Sequence, residues 1–190
     1  MCVKLAALLE PDLLMPTLTW PYAHLLINHF PVVLTVLGLV VALGALVTGR
    51  RSLWLYAMGT LTAAGLIVYP VHFSGDEAKD ALHDAWYIKR GVIDAHDNAA
   101  GIAMAIILIA GAVSAYGWWR ALKRRDESIP GWIRALVVIG ALAGFGSVSY
   151  AAFLGGKIIH EAPILGLPQA PAGLPPGIAT PPRDSTQPRS

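Results

Sequence analysis

Four stretches of this chain are each about as long as a bilayer is thick and carry no charge. They are Phe30–Val47, Leu53–Val71, Ala99–Trp119 and Ala135–Gly156. About 20 mostly apolar residues in a helix cross the hydrocarbon layer. There the backbone must satisfy its own hydrogen bonds, which leaves helices or closed barrels, and uninterrupted apolar runs are helices. The fold class that follows is all-α: an integral membrane four-helix bundle. Only 14% of the 190 residues are charged, against about 25% in a soluble domain. The net charge of +2 leaves no electrostatic footprint for nucleic acid. Cys2 is the only cysteine, so an internal disulfide, a CxxC zinc site and a cysteine-held iron–sulfur cluster are excluded. Cys2 reads as an incidental thiol.

The connections set the topology. The first link carries Arg50 and Arg51. The third carries Arg120, Lys123, Arg124 and Arg125 against Asp126 and Glu127, with Arg134 just beyond. The rest of the chain is richer in acids than in bases. The positive-inside rule puts both links in the cytoplasm of a bacterial inner membrane, with both termini on the periplasmic side. Short links favour antiparallel neighbours, hence an up-down-up-down order. Three regions result: an N-terminal outer segment over 1–19, a four-helix transmembrane domain over 20–161, and a tail over 162–190 with eight prolines. That composition reads as extended or disordered. The apolar run Leu5–Leu9 is too short for a signal peptide.

The outer loop carries its own pattern. Ser74-Gly75-Asp76-Glu77 has the spacing of a capping box, followed by Ala78, Ala81, Leu82, Ala85 and Trp86 at helical intervals. This predicts a short amphipathic helix in the outer loop, on the membrane surface or lidding the bundle. Asp94 and Asp97 form a second capping signal that opens the third span.

All six histidines fall at one end. His24 and His29 precede or open span 1, His72 closes span 2, and His96 opens span 3. His160 follows span 4, and His83 lies in the outer loop on a polar helix face. Each span thus brings an imidazole to one outer layer. Imidazole is a common metal ligand and haem axial ligand, and bundle cores are where such sites are built. Haem b needs two facing imidazoles and small residues beside a flat ring. Ala63, Ala64, Gly65, Gly101, Gly155 and Gly156 offer that relief, and Lys89, Arg90 and Lys157 are candidate propionate partners. Diagonal pairing would join His29 with His96, or His72 with His160. The same four histidines are candidate ligands for a copper, zinc or iron ion, with His24 a further cofactor contact. Asp76, Glu77, Asp97 and Glu161 accompany them, as orienting groups or as direct ligands. His24 and His29 lie roughly 140° apart on an ideal helix, so both serve one centre only if Pro31 redirects the chain.

Other chemistries lack a signature. There is no HExxH, no GxSxG, no P-loop and no Rossmann glycine pattern. Glycines also pack helices, and Gly140 to Gly144 has small-xxx-small spacing. The leading expectation is a haem b electron-transfer subunit, working with lipid and with a quinone or a respiratory or photosynthetic complex. The alternatives are a non-haem metal protein and a cofactor-free accessory subunit.

Several of these residues resemble a known family. His24-Leu-Leu-Ile-Asn-His29-Phe30-Pro31 resembles the opening signature of the bacterial membrane family called domain of unknown function 2231. Gly75-Asp76-Glu77-Ala78, Ala95-His96-Asp97 and Gly155-Gly156-Lys157-Ile158-Ile159-His160 are similar to its later segments. Leu25 and Asn28 depart from the pattern, and His72 stands at a site where the family is expected to carry an aromatic or apolar residue. The resemblance implies four helices and an outer cluster of His24, His29, His96 and His160. Some relatives are joined to Rieske-type domains, an association that leans toward redox work.

Overall fold

The computed structural model describes residues 19–82 and 90–161, with side chains through Ile158. The N-terminal segment, His83, Lys89, Trp86 and the proline-rich tail lie outside the described residues, as does the side chain of His160. The elements are α1 (Trp20–Ile27), α2 (His29–Thr48), α3 (Arg51–Ala81), α4 (Arg90–Lys123) and α5 (Gly131–Glu161). No strand occurs among the described residues. α1 and α2 together form one span, Trp20–Thr48, so the chain has four helices long and apolar enough to cross a membrane. It is a multi-pass membrane protein and an all-α four-helix bundle.

Each span packs against its neighbours in sequence, and α2 closes the ring on α5. α2 and α4 lie on a diagonal, with no close approach of their backbones. This is the ring order expected of an up-down-up-down bundle. Its outer surface is apolar: Val47 is 88% exposed and Leu66 75%. In water that surface would drive aggregation; against acyl chains it is at home.

Small residues hold the inside together. Ala42, Ala45, Ala57, Ala64 and Ala141 are fully buried. Lipid gives no hydrophobic drive for helix association, so close packing must supply it. At Gly65 and Gly111 the backbones of α3 and α4 meet. A methyl on Gly65 would sit 3.0 Å from Gly111 Cα, and one on Gly111 would sit 2.8 Å from Gly65 Cα. Leu39, Trp54, Met58, Leu61, Ile133 and Val137 fill the half nearer the arginines. Toward the histidines the core thins to Ala99, Ala103, Ala151 and Leu154. That thinning leaves volume for imidazole rings.

Backbone punctuation differs from expectation in two places. The helix does not restart at Ser74: α3 runs unbroken from Arg51 to Ala81, through Pro70. The expected outer-loop helix, as far as it is described, is therefore the last two turns of span 2. Ser74 is buried, and its hydroxyl donates to Val71 O at 2.7 Å. Bonding a carbonyl inside its own helix is the alternative to capping in a site without water. Likewise α4 begins at Arg90, so Asp94 and Asp97 lie inside a helix and cap nothing. Pro31 does not start a new direction either. It is buried within α2, and Asn28 between α1 and α2 keeps right-handed helical angles.

At the other end the two links are clipped together. Gly49, at φ 67°, ends α2 in the left-handed conformation that glycine tolerates. Arg51 donates to Glu127 O at 2.6 Å and to Ala121 O at 2.5 Å. The Glu127 carboxylate accepts from Arg124 at 2.7 Å and Arg120 at 3.1 Å. The hydrogen bond from Arg124 holds Glu127 below the usual carboxylate range.

Two outcomes follow. Gly111→Ala should destabilise the bundle by about 1–3 kcal/mol, because backbone atoms cannot yield to the added methyl. Gly146→Ala, with open space around it, should stay near native; unfolding in detergent reads both. Glu127's contribution should be complete at neutral pH. It should fade as pH falls below about 4.3 and through the lowered folded value. Glu127→Gln should lack that acid limb in a thermal-midpoint profile against pH.

Candidate metal centre

Three histidine rings at one end of the bundle each rest on a glycine of the next helix. His24 of α1 lies on Gly75 of α3, where a methyl would sit 3.1 Å from the ring carbon Cε1. His96 of α4 lies on Gly155 of α5 at the same distance. His72 of α3 faces Gly101 of α4 more loosely, at 4.0 Å. Only a residue without a side chain lets a flat ring lie this close to a helix backbone.

Two of these rings are oriented by backbone carbonyls. His96 Nδ1 lies 2.8 Å from Ala151 O. His24 Nδ1 lies 3.2 Å from Val71 O and 3.0 Å from Ser74 Oγ, whose own proton goes to Val71 O. A carbonyl oxygen only accepts, so Nδ1 carries the hydrogen in both rings. In the neutral ring Nε2 is then left with a free lone pair, the state of a metal-binding imidazole.

His72 sits differently. Its Nε2 is 3.9 Å from Asp76 Oδ2, too far for a hydrogen bond. His72 and Asp76 are one helical turn apart on α3 and face α4, where Asp97 meets them. The ligand atoms of His72, Asp76 and Asp97 all lie within 4.8 Å of one another. Donors around a shared ion at about 2.1 Å stand roughly 3–3.5 Å apart, so small side-chain rotations close the set. Asp97 also accepts from Lys79 Nζ at 2.7 Å, and Lys79 reaches Asp94 at 3.1 Å. His24 lies within electrostatic reach of His72, His96 and Asp76.

The remaining expected residues are placed as follows. His29 is exposed, with Nδ1 3.2 Å from Leu25 O of its own helical run. His160 lies near the end of α5, at the histidine end. Lys157 stands over the Phe153 ring at 5.1 Å. Of the glycines expected to flank a flat macrocycle, Gly65 is closed by Gly111, while Gly101 and Gly155 carry histidine rings. Ala64 is fully buried in the packed core. Gly156 is open and Ala63 faces outward, but protein fills the other four positions, so the local geometry suits an ion better than a haem.

Adjacent residues divide the work on α4. His96 and Asp97 point about 100° apart; the first turns to α5 and the second to α3. In the sequence Lys79 reads only as part of the polar side of the expected outer-loop helix, with no partner assigned. Its link to Asp97 spans 18 residues, and only the register of the two helices reveals it.

No family model, no curated protein and no solved structure matches this chain.

Proposed function

We propose that this membrane protein binds a divalent transition-metal ion at the histidine end of its bundle, with His72, Asp76 and Asp97 as ligands. The convergence of those three side chains from two helices carries the reading. Ionisable groups in a membrane helix are costly unless paired or used. Asp76 and Asp97 beside a neutral imidazole offer two negative charges and three hard-to-borderline donors. That set suits zinc or iron(II) better than copper(I), which favours sulfur.

Lys79 supplies the counter-charge when the ion is away. It has two carboxylates to choose from, Asp94 and Asp97. Retreat onto Asp94 frees Asp97 for the metal without stranding an ammonium ion. His24 and His96, with Nε2 unprotonated in the neutral rings, are the further donors within the same layer. The arginine-bearing links argue for a cytoplasmic arginine end and an outward-facing metal end. The residues resembling the domain of unknown function 2231 family coincide with this layer, and membership in that family is part of the proposal. A role in electron transfer with membrane partners would follow if the ion is redox-active.

The test is metal analysis of the full chain in detergent, after chelator stripping and reloading with zinc or iron(II). The native protein should hold close to one equivalent. His72→Ala and Asp97→Asn should each weaken binding more than about 100-fold, while Lys79→Gln, lacking the competing cation, should bind more tightly. Affinity should fall on acidification, because ligands must be deprotonated. A native chain that stays metal-free, or variants that load as well as native, would remove the proposal. A haem absorption band in the purified protein would restore the macrocycle in its place.

A further inference from the structure

The opposite end of the bundle holds a second, independent feature. A cavity of about 300 Å³ lies between the two short links, lined among others by Arg51, Trp54, Arg125, Asp126, Glu127 and Arg134. Three guanidinium groups thus border one space. Glu127 is already engaged by Arg120 and Arg124, and Arg51 is anchored on three carbonyls. Asp126 is the one lining acid not engaged in this way.

The helix ends sharpen the imbalance. α3 starts at Arg51 and α5 at Gly131, and neither has an acidic residue in its first turn. A helix N-terminus carries a partial positive charge and favours anions. Here the sequence places Arg50 and Arg51 at one such end and Arg134 at the other, the reverse of what the dipole favours. No side chain caps α3 at Arg50; Leu53 N and Trp54 N donate to Arg50 O. Fixed positive charge and open volume coincide beside this helix end.

We propose that this cavity binds a phosphate-bearing anion, held by Arg125 and Arg134 beside the anchored Arg51, near the N-termini of α3 and α5. Guanidinium pairs match phosphate oxygens in geometry as well as charge. At the membrane surface the chemistry has two sources: the phosphodiester of an anionic lipid headgroup and free inorganic phosphate. Basic pockets beside helix ends are a recurring lipid-headgroup site.

The test places the full chain in phosphatidylcholine nanodiscs, alone, with phosphatidylglycerol added, or with inorganic phosphate added. Thermal midpoint and native mass spectrometry report binding. The double variant Arg125→Gln/Arg134→Gln spares the anchored Arg51. Lys123→Gln removes a charge at the same end that does not line the cavity. The native chain and Lys123→Gln should both retain one phosphatidylglycerol, or shift with phosphate. The double variant should need about 30-fold more ligand. A response to phosphatidylglycerol alone assigns the lipid; an equal response to phosphate assigns the free anion. No response in the native chain overturns the proposal. So does a loss in Lys123→Gln as large as in the double variant, which would mean diffuse surface charge.

Discussion

The contact of backbone on backbone at Gly65 and Gly111 governs the geometry of the histidine end. It fixes how close α3 and α4 come, and it fixes their register. Fourteen residues beyond Gly65 on α3 is Lys79, and fourteen residues before Gly111 on α4 is Asp97; these two form the 2.7 Å ion pair. Fourteen residues are two heptads, or about 21 Å of helix. The facing surfaces of an antiparallel pair stay opposed over that distance only if the helices coil gently around each other. The same interval recurs between α1–α2 and α3. Gly38 meets Leu61, and fourteen residues away on each side His24 meets Gly75. One packing rule thus delivers His24 to its seat and Asp97 to His72 and Asp76.

The architecture was legible in the sequence because it rests on a one-dimensional property. Uninterrupted apolar length predicts spans, and the clustering of basic residues predicts which ends lie together. The histidine layer was legible for the same reason, since its position follows from topology alone. What escaped was everything that depends on register. Gly101 and Gly155 stand out as small residues, yet their use as seats for His72 and His96 needs the pairing of particular turns. The stretch from Ser74 to Asp97 misled for a different reason. It is polar and carries two sound capping patterns, so it reads as a loop. Lys79, however, finds Asp94 and Asp97 across the interface with α4, and tertiary pairing outweighs local signals when the alternative is an unsatisfied group near lipid.

The two ends solve opposite electrostatic problems. At the arginine end, positive charge gathers where helix N-termini are already positive, and Glu127 with a few carbonyls absorbs only part of it. At the histidine end two imidazoles are tied to carbonyls of neighbouring helices, and Lys79 bridges Asp94 and Asp97. Alanine and glycine make up about half of the buried positions, so the interior offers little polar machinery and charge collects at the ends.

The tautomer argument shows why the histidine end is more than a cluster. A solvated imidazole exchanges its proton between nitrogens and turns freely, and a ligand would have to wait for the right form. His24 and His96 lack that freedom. A carbonyl on one side fixes the hydrogen at Nδ1, and a glycine beneath the ring fixes its plane. The Nε2 lone pair is then prepared before any ion arrives, and the cost of ordering it was met when the helices packed. Under the proposed function that lone pair is what an arriving ion would meet, and a ring already fixed in plane and tautomer would bind it at a lower ordering cost than a freely turning one.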